Sequence, residues 1–129
     1  MTLVPSDALA ILQLVVRADT CATERDADGY AALFTDDAVM DGDMGTVKGT
    51  TALRDAVARI WAAEPAGTLH LTLNAVIDES GPQPAVDSVM LMVGAGPSPT
   101  VHGSARVRQI VRHTPGGWRI SARSIDGRH

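Results

Sequence analysis

The chain has 129 residues, which is enough for one domain with one hydrophobic core. Hydrophobic residues make up 45% and charged residues 20% of it, an ordinary globular composition that excludes disorder and fibrous repeats. The formal net charge is -4. It argues against nucleic acid or an anionic membrane as a partner, because both are bound through clustered Lys and Arg.

The N-terminal residues are apolar enough to suggest a signal peptide. However, they lack a basic leader and include Pro5, Asp7 and Gln13, so we predict a helix of the folded domain. No stretch reaches the ~20 uncharged apolar residues that a membrane span requires. The single cysteine, Cys21, excludes an internal disulfide and fits a reducing compartment. We therefore expect a cytoplasmic protein that does not enter a membrane.

Two helices are predicted at the start of the chain. From Ser6 to about Thr23, apolar residues recur at helical spacing, and Ser6 or Asp7 is placed to cap the first turn. A second helix is predicted over 26–34, where Asp26 can accept the free N–H groups of its first turn. The polar residues 35–37 are predicted to end it.

A small hairpin and a third helix come next. Residues 38–41 and 46–48 are typical of short strands around a glycine-rich turn, and a third helix is predicted from 49 to 64, before Pro65. Four strand-like runs separated by turn residues complete the chain: 68–78, 86–93, 100–113 and 118–125.

Consecutive strands joined by short turns pair antiparallel, and helices that precede such a sheet cover one of its faces. We therefore predict one α+β domain over residues 1–129. It is expected to be a cone-like barrel in which three N-terminal helices pack on a curved, mainly antiparallel sheet.

Four motifs follow one another along the chain: RDADGYAALFTDDAVMDGDMG at 25–45, KGTTALR at 48–54, TLHLTLN at 68–74 and GGWRISARS at 116–124. Their order and spacing resemble the SnoaL-like families of the nuclear-transport-factor-2-like superfamily. These include polyketide cyclases, ketosteroid isomerase, scytalone dehydratase and hexachlorocyclohexane dehydrochlorinase, and the last two are closest in pattern. The resemblance implies the fold more than the reaction, because this fold hosts many chemistries and also non-catalytic binders.

The resemblance to the dehydratase and dehydrochlorinase branch implies a histidine base on the strand after the third helix, working with an aspartate late in the first helix. His70 matches the histidine, and Thr23 stands at the position of the aspartate. An imidazole suits the role because it titrates near neutral pH. Thr23 could orient His70 through its hydroxyl. Asp19, one turn earlier on the same helix face, could replace the carboxylate or could be solvated.

Arg123 matches an arginine that the dehydrochlorinase places at its pocket. Its charged fork could polarise a carbonyl or carboxylate or hold a leaving anion, whereas the alternative is a solvated arginine on a strand. Strand alternation places Ser121 and Arg123 on one face, and Trp118 and Ile120 on the other, unless a bulge intervenes.

Bulky residues available to line a pocket are Tyr30, Phe34, Trp61, Met90 and Met92, although ordinary core packing is the default role of such residues. A pocket built from them would take a small hydrophobic ligand and exclude water from the histidine.

Three functions remain open. The first is a cofactor-free lyase or isomerase, dehydratase- or cyclase-like, that acts on a small hydrophobic or polyketide-like molecule with His70 as general base and Arg123 as the carbonyl or anion partner. The second is a non-catalytic binder of such a molecule. The third is a purely structural role in which the outer face of the sheet forms a homodimer, and a homodimer is expected. Asp26 and Asp28 suggest a metal site, but we expect no metal, because Asp26 is better explained as a helix cap.

Overall fold

The computed structural model describes residues 2–43 and 45–128, the last of them by its backbone alone. It contains three helices within the described residues: α1 (Pro5–Glu24), α2 (Ala27–Ala31) and α3 (Thr50–Ala63). The described strands are β1 (Phe34–Gly42), β2 (Gly45–Lys48), β3 (Thr68–Asp78), β4 (Ala85–Gly94), β5 (Thr100–Thr114) and β6 (Gly117–Arg128). The element order agrees with the sequence prediction.

The first helix begins differently from the prediction. Val4 occupies the N-cap position without a side-chain hydrogen bond, and Pro5 opens the helix, where its fixed φ and missing N–H are no disadvantage. The predicted cap by Ser6 or Asp7 was therefore wrong. The Asp7 carboxylate instead accepts a hydrogen bond from the indole N–H of Trp118, with 3.2 Å between Oδ1 and Nε1.

The second helix starts as predicted, because the Asp26 carboxylate accepts the backbone N–H of Gly29 at 2.9 Å. It ends at Ala31, and Phe34 already belongs to β1, where the sequence predicted helix up to residue 34. Pairing with β6 explains the difference: Ile120 N–H donates to the carbonyl of Leu33 at 2.9 Å. The sheet thus overrides local helical periodicity.

The six strands form one open, mixed sheet in the order β2-β1-β6-β5-β4-β3. All neighbouring pairs are antiparallel except β1 and β6, which run parallel. The predicted barrel does not close in the described part of the chain, because β2 and β3 are edge strands. The three helices do not form one N-terminal block, because the β1–β2 hairpin, which the sequence also predicted, separates α2 from α3.

The core lies between the helices and the inner face of the sheet, the face that they cover. Fully buried side chains on both sides of this layer include Ile11 and Val15 of α1, Leu53 of α3, and Val86 and Val111 of the sheet. Removing this apolar surface from water is the main driving force for docking the helices on the sheet. No helix among the described residues is long and apolar enough to span a lipid bilayer.

A bulge in β6 decides which side chains face inward. Val111 pairs with Ile120, but Ile110 pairs with Ala122, so Ser121 is an extra residue on β6. The extra residue reverses the alternation, and both Ile120 and Arg123 are buried. Simple alternation had placed Arg123 and Ile120 on opposite faces. The bulge therefore turns Arg123 into the interior.

Candidate functional site

A cavity of about 220 Å³ lies between the helices and the inner face of the sheet. Six of the predicted pocket residues line it: Tyr30, Trp61, His70, Met90, Met92 and Arg123. Most of the other lining side chains are apolar, and they include Met40, Val57, Ile60 and Ile125. A mostly apolar wall with a few polar groups is the usual construction of a small-molecule site.

His70 enters this cavity from β3, and its carboxylate partner is Glu64. The two side chains are 4% and 14% exposed, and 2.9 Å separates His70 Nε2 from Glu64 Oε1. Arg25 also contacts this carboxylate, with 3.1 Å between its NH1 nitrogen and Glu64 Oε1. Because a carboxylate only accepts hydrogen bonds, Nε2 carries the hydrogen of this contact, and the neutral form of such an imidazole has its lone pair on Nδ1.

Helix and strand ends bring these three residues together. Glu64 caps the C-terminus of α3, just before the turn that leads into β3. Arg25 follows α1 in the left-handed conformation (φ 60°), and its NH1 also donates to the Ala22 carbonyl at 2.8 Å. The Nδ1 atom of His70 is buried and has no hydrogen-bond partner among the described residues.

Thr23 holds the backbone of His70 rather than its imidazole. Its hydroxyl accepts the His70 N–H at 2.8 Å and donates to the His70 carbonyl at 3.3 Å. This pair of bonds ties α1 to the strand that carries the histidine. The residue at the position expected for the aspartate therefore holds the strand in place. The carboxylate that contacts the His70 imidazole comes from Glu64, at the end of α3.

Asp19 faces the interior, which excludes the solvated alternative, but its described partners are Arg123 and Thr72 instead of His70. Its Oδ1 lies 2.9 Å from the NH2 nitrogen of Arg123, and the Thr72 hydroxyl donates to its Oδ2. Arg123 also donates from NH1 to the amide oxygen of Gln109 at 2.8 Å. All these groups except Thr72 are almost fully buried.

Burial by itself lowers the pKa of Arg123. The negative charges of ionised Tyr30 and of Asp19 raise this pKa by more, so the net shift is upward. Burial also raises the pKa of Tyr30, more than the nearby Arg123 lowers it. At neutral pH the site therefore contains a charged guanidinium and a protonated phenol, and Asp19 is the charge that stabilises Arg123.

The aromatic residues have different roles. Tyr30 meets Trp61 edge to face, with ring centroids 5.3 Å apart, and both rings line the cavity. Phe34 is not in the wall; it supports Tyr30 from behind at a centroid distance of 4.9 Å. The Tyr30 hydroxyl donates to the Met40 sulfur at 3.6 Å, a weak acceptor. The guanidinium carbon of Arg123 lies 5.8 Å from the Tyr30 ring centroid.

Two other places in the molecule are weaker candidates for a functional site. Asp26 caps α2 and Asp28 contacts Arg54 at 3.2 Å, and the described residues contain no cluster of three potential metal ligands. A wider recess of about 580 Å³ has exposed, charged walls, in which Arg108 is already paired with Asp87. The smaller cavity is the better candidate because it buries titratable groups among apolar ones.

Sequence reasoning did not identify Glu64, Arg25 or Gln109. Glu64 and Arg25 look like solvated charges at helix ends, and no spacing rule links them to His70. The sequence pattern could have identified Gln109. Val107, Gln109 and Val111 alternate along a predicted strand, so Gln109 is a polar residue on an otherwise apolar face. A polar residue on a buried strand face requires a partner, here Arg123.

The fold and the cavity define the class of protein: an α+β domain of the nuclear-transport-factor-2-like or cystatin-like kind, with a small-molecule cavity under its helices. The family model described as a SnoaL-like domain matches residues 5–124, so the chain belongs to the SnoaL-like domain family. Domains of this family bind small molecules. No curated protein matches the chain.

Solved structures share this fold. A protein of unknown function with a cystatin-like fold from Nostoc punctiforme is 27% identical, with a TM-score of 0.90 over 99% of this chain and 96% of that one. A nuclear-transport-factor-2-like protein from Novosphingobium aromaticivorans is 22% identical, with a TM-score of 0.80 and coverages of 93% and 80%. Aln2 from a Streptomyces species is 18% identical, with a TM-score of 0.82 and coverages of 98% and 93%.

Proposed function

We propose that this protein is a cofactor-free lyase or isomerase that acts on a small hydrophobic or polyketide-like molecule, with His70 as general base. One observation supports it above all: a histidine in an apolar cavity, hydrogen-bonded through Nε2 to a carboxylate and carrying a second, unpartnered nitrogen. This arrangement fixes one tautomer and leaves a basic lone pair. The chemistry of the dehydratase and dehydrochlorinase branch stays a prediction.

In this mechanism the lone pair of His70 takes a proton from a carbon next to a carbonyl group, and the electrons of the broken C–H bond move onto the carbonyl oxygen to form an enolate. The imidazolium that forms is stabilised by Glu64. Arg123 and the phenol of Tyr30 lie in the same wall and can stabilise negative charge on the carbonyl oxygen. The proton then returns to another carbon in an isomerase, or a leaving group departs in a lyase. No step needs a metal or a cofactor.

The test starts from the ligand that the purified protein carries or captures from a cell extract, identified by mass spectrometry. The wild-type protein should convert it, and His70→Ala should lower the rate by about 100- to 10,000-fold, the usual share of a general base. Glu64→Gln should lower the rate about tenfold, because a charge-assisted hydrogen bond is about 1 to 1.5 kcal/mol stronger than a neutral one. The control is Glu24→Gln, which removes the same negative charge at an exposed position. Equal rates for wild type and His70→Ala would refute the mechanism.

A second candidate function is a module that binds a small molecule without altering it. The burial of Nδ1 favours this function, because a base must reach the hydrogen that it removes. The same incubation separates the two functions: a ligand that is released chemically unchanged supports binding alone.

We further propose that residues 1–129 act as one domain and form a cytoplasmic homodimer. Cys21 is a buried free thiol, which fits a reducing compartment.

On the outer face of the sheet, Leu71 and Leu73 of β3 are 40% and 39% exposed and offer apolar surface to a second copy. Leu71→Glu should convert a dimer into a monomer in a light-scattering measurement, while Val16→Glu on α1 should not. A monomeric wild type would refute the dimer.

A further inference from the structure

The ionised groups around the cavity are arranged in neutral pairs. Arg123 is neutralised by Asp19, and both side chains are almost fully buried, 3% and 4% exposed. Glu64 is neutralised by Arg25. Besides the imidazole of His70, Arg123 is the one basic side chain of the described lining, and Asp19 already occupies it, so no unpaired guanidinium or ammonium group is left to match an anionic ligand.

Hydrogen-bond donors, in contrast, are available. The Nε–H of Arg123 is buried without a partner among the described residues, and the Tyr30 hydroxyl has the Met40 sulfur as its acceptor. Buried donors are costly to leave without a good acceptor. A ligand oxygen can accept from such donors whether or not it is charged. The donors therefore favour a ligand that has an acceptor oxygen. The paired charges disfavour a ligand that carries a net negative charge.

We infer that the cavity selects an uncharged carbonyl compound over a carboxylate of the same shape. Moving a carboxylate out of water is much more costly than moving a ketone, and only an unpaired cation would offset the difference. The volume of about 220 Å³ is below the range of about 300 to 1,000 Å³ found for most ligand pockets, which limits the ligand to one or two rings. The inference rests on the proposed function only in taking this cavity as the ligand site.

Acetophenone and benzoate form a matched pair of probes, because a methyl group in one stands where a charged oxygen stands in the other. Binding is measured at pH 8 by calorimetry and by tryptophan fluorescence, to which Trp61 in the cavity wall contributes. Acetophenone should bind at least about tenfold more tightly than benzoate. Ethylbenzene, which lacks the acceptor oxygen, should bind more weakly than acetophenone. Benzoate binding as tightly as acetophenone, or no binding of the ketone, would overturn the inference.

Asp19→Asn gives a second test, because it removes the partner charge and leaves Arg123 as an unpaired cation. Benzoate should then gain at least about tenfold in affinity and raise the melting temperature of the variant more than acetophenone does. Asp87→Asn, which breaks an exposed pair with Arg108, should leave the wild-type order unchanged. An unchanged order in a folded Asp19→Asn protein would contradict the inference, and if that variant does not fold, the wild-type order decides.

These titrations need no turnover. The order of affinities can therefore hold in a protein that proves not to be an enzyme. Conversely, a protein that converts its ligand but prefers benzoate would retain the proposed function and lose this inference.

Discussion

The two faces of the sheet each carry an arginine paired with aspartate, in very different surroundings. On the inner face, Arg123 and Asp19 are 2.9 Å apart and 3% and 4% exposed. On the outer face, Arg108 lies 2.7 Å from Asp87, and these side chains are 47% and 54% exposed. The distances are nearly equal, so geometry does not separate the two pairs. Burial does, because water and salt screen the outer charges and not the inner ones.

The inner pair is also supported by further groups. Thr72 donates to the second oxygen of Asp19, and Gln109 accepts from Arg123. Such a network fixes the direction of the guanidinium, which is what a site needs in order to present a donor to a ligand. On the outer face Arg108 reaches two carboxylates, Asp78 and Asp87, but each remains in contact with water.

The largest expected difference between the faces comes from removing one aspartate of each pair. Asp19→Asn should lower the free energy of unfolding by about 3 to 5 kcal/mol, because it leaves Arg123 buried and unpaired. Asp87→Asn should cost at most about 1 kcal/mol, as is usual for exposed pairs. Urea denaturation of both variants measures the difference. Similar losses for the two variants would show that burial does not separate the pairs.

A smaller effect is expected at the contact between α1 and β3. Thr23→Val removes the hydroxyl that binds the His70 backbone and should cost about 1 to 3 kcal/mol, because the His70 N–H is left unsatisfied. Thr23→Ser keeps the hydroxyl and should lose much less. Thr20→Val, on the exposed side of α1, should lie within about 0.5 kcal/mol of wild type. If Thr23→Val is as stable as Thr23→Ser, the backbone contact has no role in stability.

The smallest effect is expected from the outer network, and it depends on pH. Hydrogen bonds from Ser80, and then from Arg108, lower the pKa of Asp78 from 3.8 to about 2. A carboxyl group with a lowered pKa stabilises the folded state above its unfolded pKa, and this contribution is lost as the pH falls from about 4 to about 2. Unfolding curves recorded across this window should show a shallower pH dependence for Asp78→Asn than for wild type. The same slope in both proteins would contradict the assignment.

Much of the fold could be predicted from the sequence, because periodicity and turn residues are local signals. Strands β3 to β6 and helices α1 and α3 were placed to within a few residues. The errors occurred where pairing between distant segments decides the structure: Phe34 joins β1 through its contact with β6, and Ser121 forms a bulge opposite the junction of Ile110 and Val111. Neither is visible in local sequence patterns.

The candidate site was predictable in part for the same reason. The resemblance to the SnoaL-like families predicted His70 and Arg123 as site residues. Asp19 was a candidate because it lies on the same face of the first helix as Thr23. The partners could not be deduced, because they depend on how helix ends pack against the sheet. Asp19 reaches Arg123 across 104 positions of the chain, while Glu64 reaches His70 from the end of α3.

The claim that His70 acts as a base can be tested most directly by deuterium incorporation in D₂O. Each ligand that binds the wild-type protein is incubated with it, and mass spectrometry then follows the exchange of hydrogen at carbon or the formation of product. We predict exchange or product with wild type, less with Glu64→Gln, and none above the buffer rate with His70→Ala. A bound ligand that leaves the wild-type protein with all its hydrogens, or equal exchange by wild type and His70→Ala, would contradict the account.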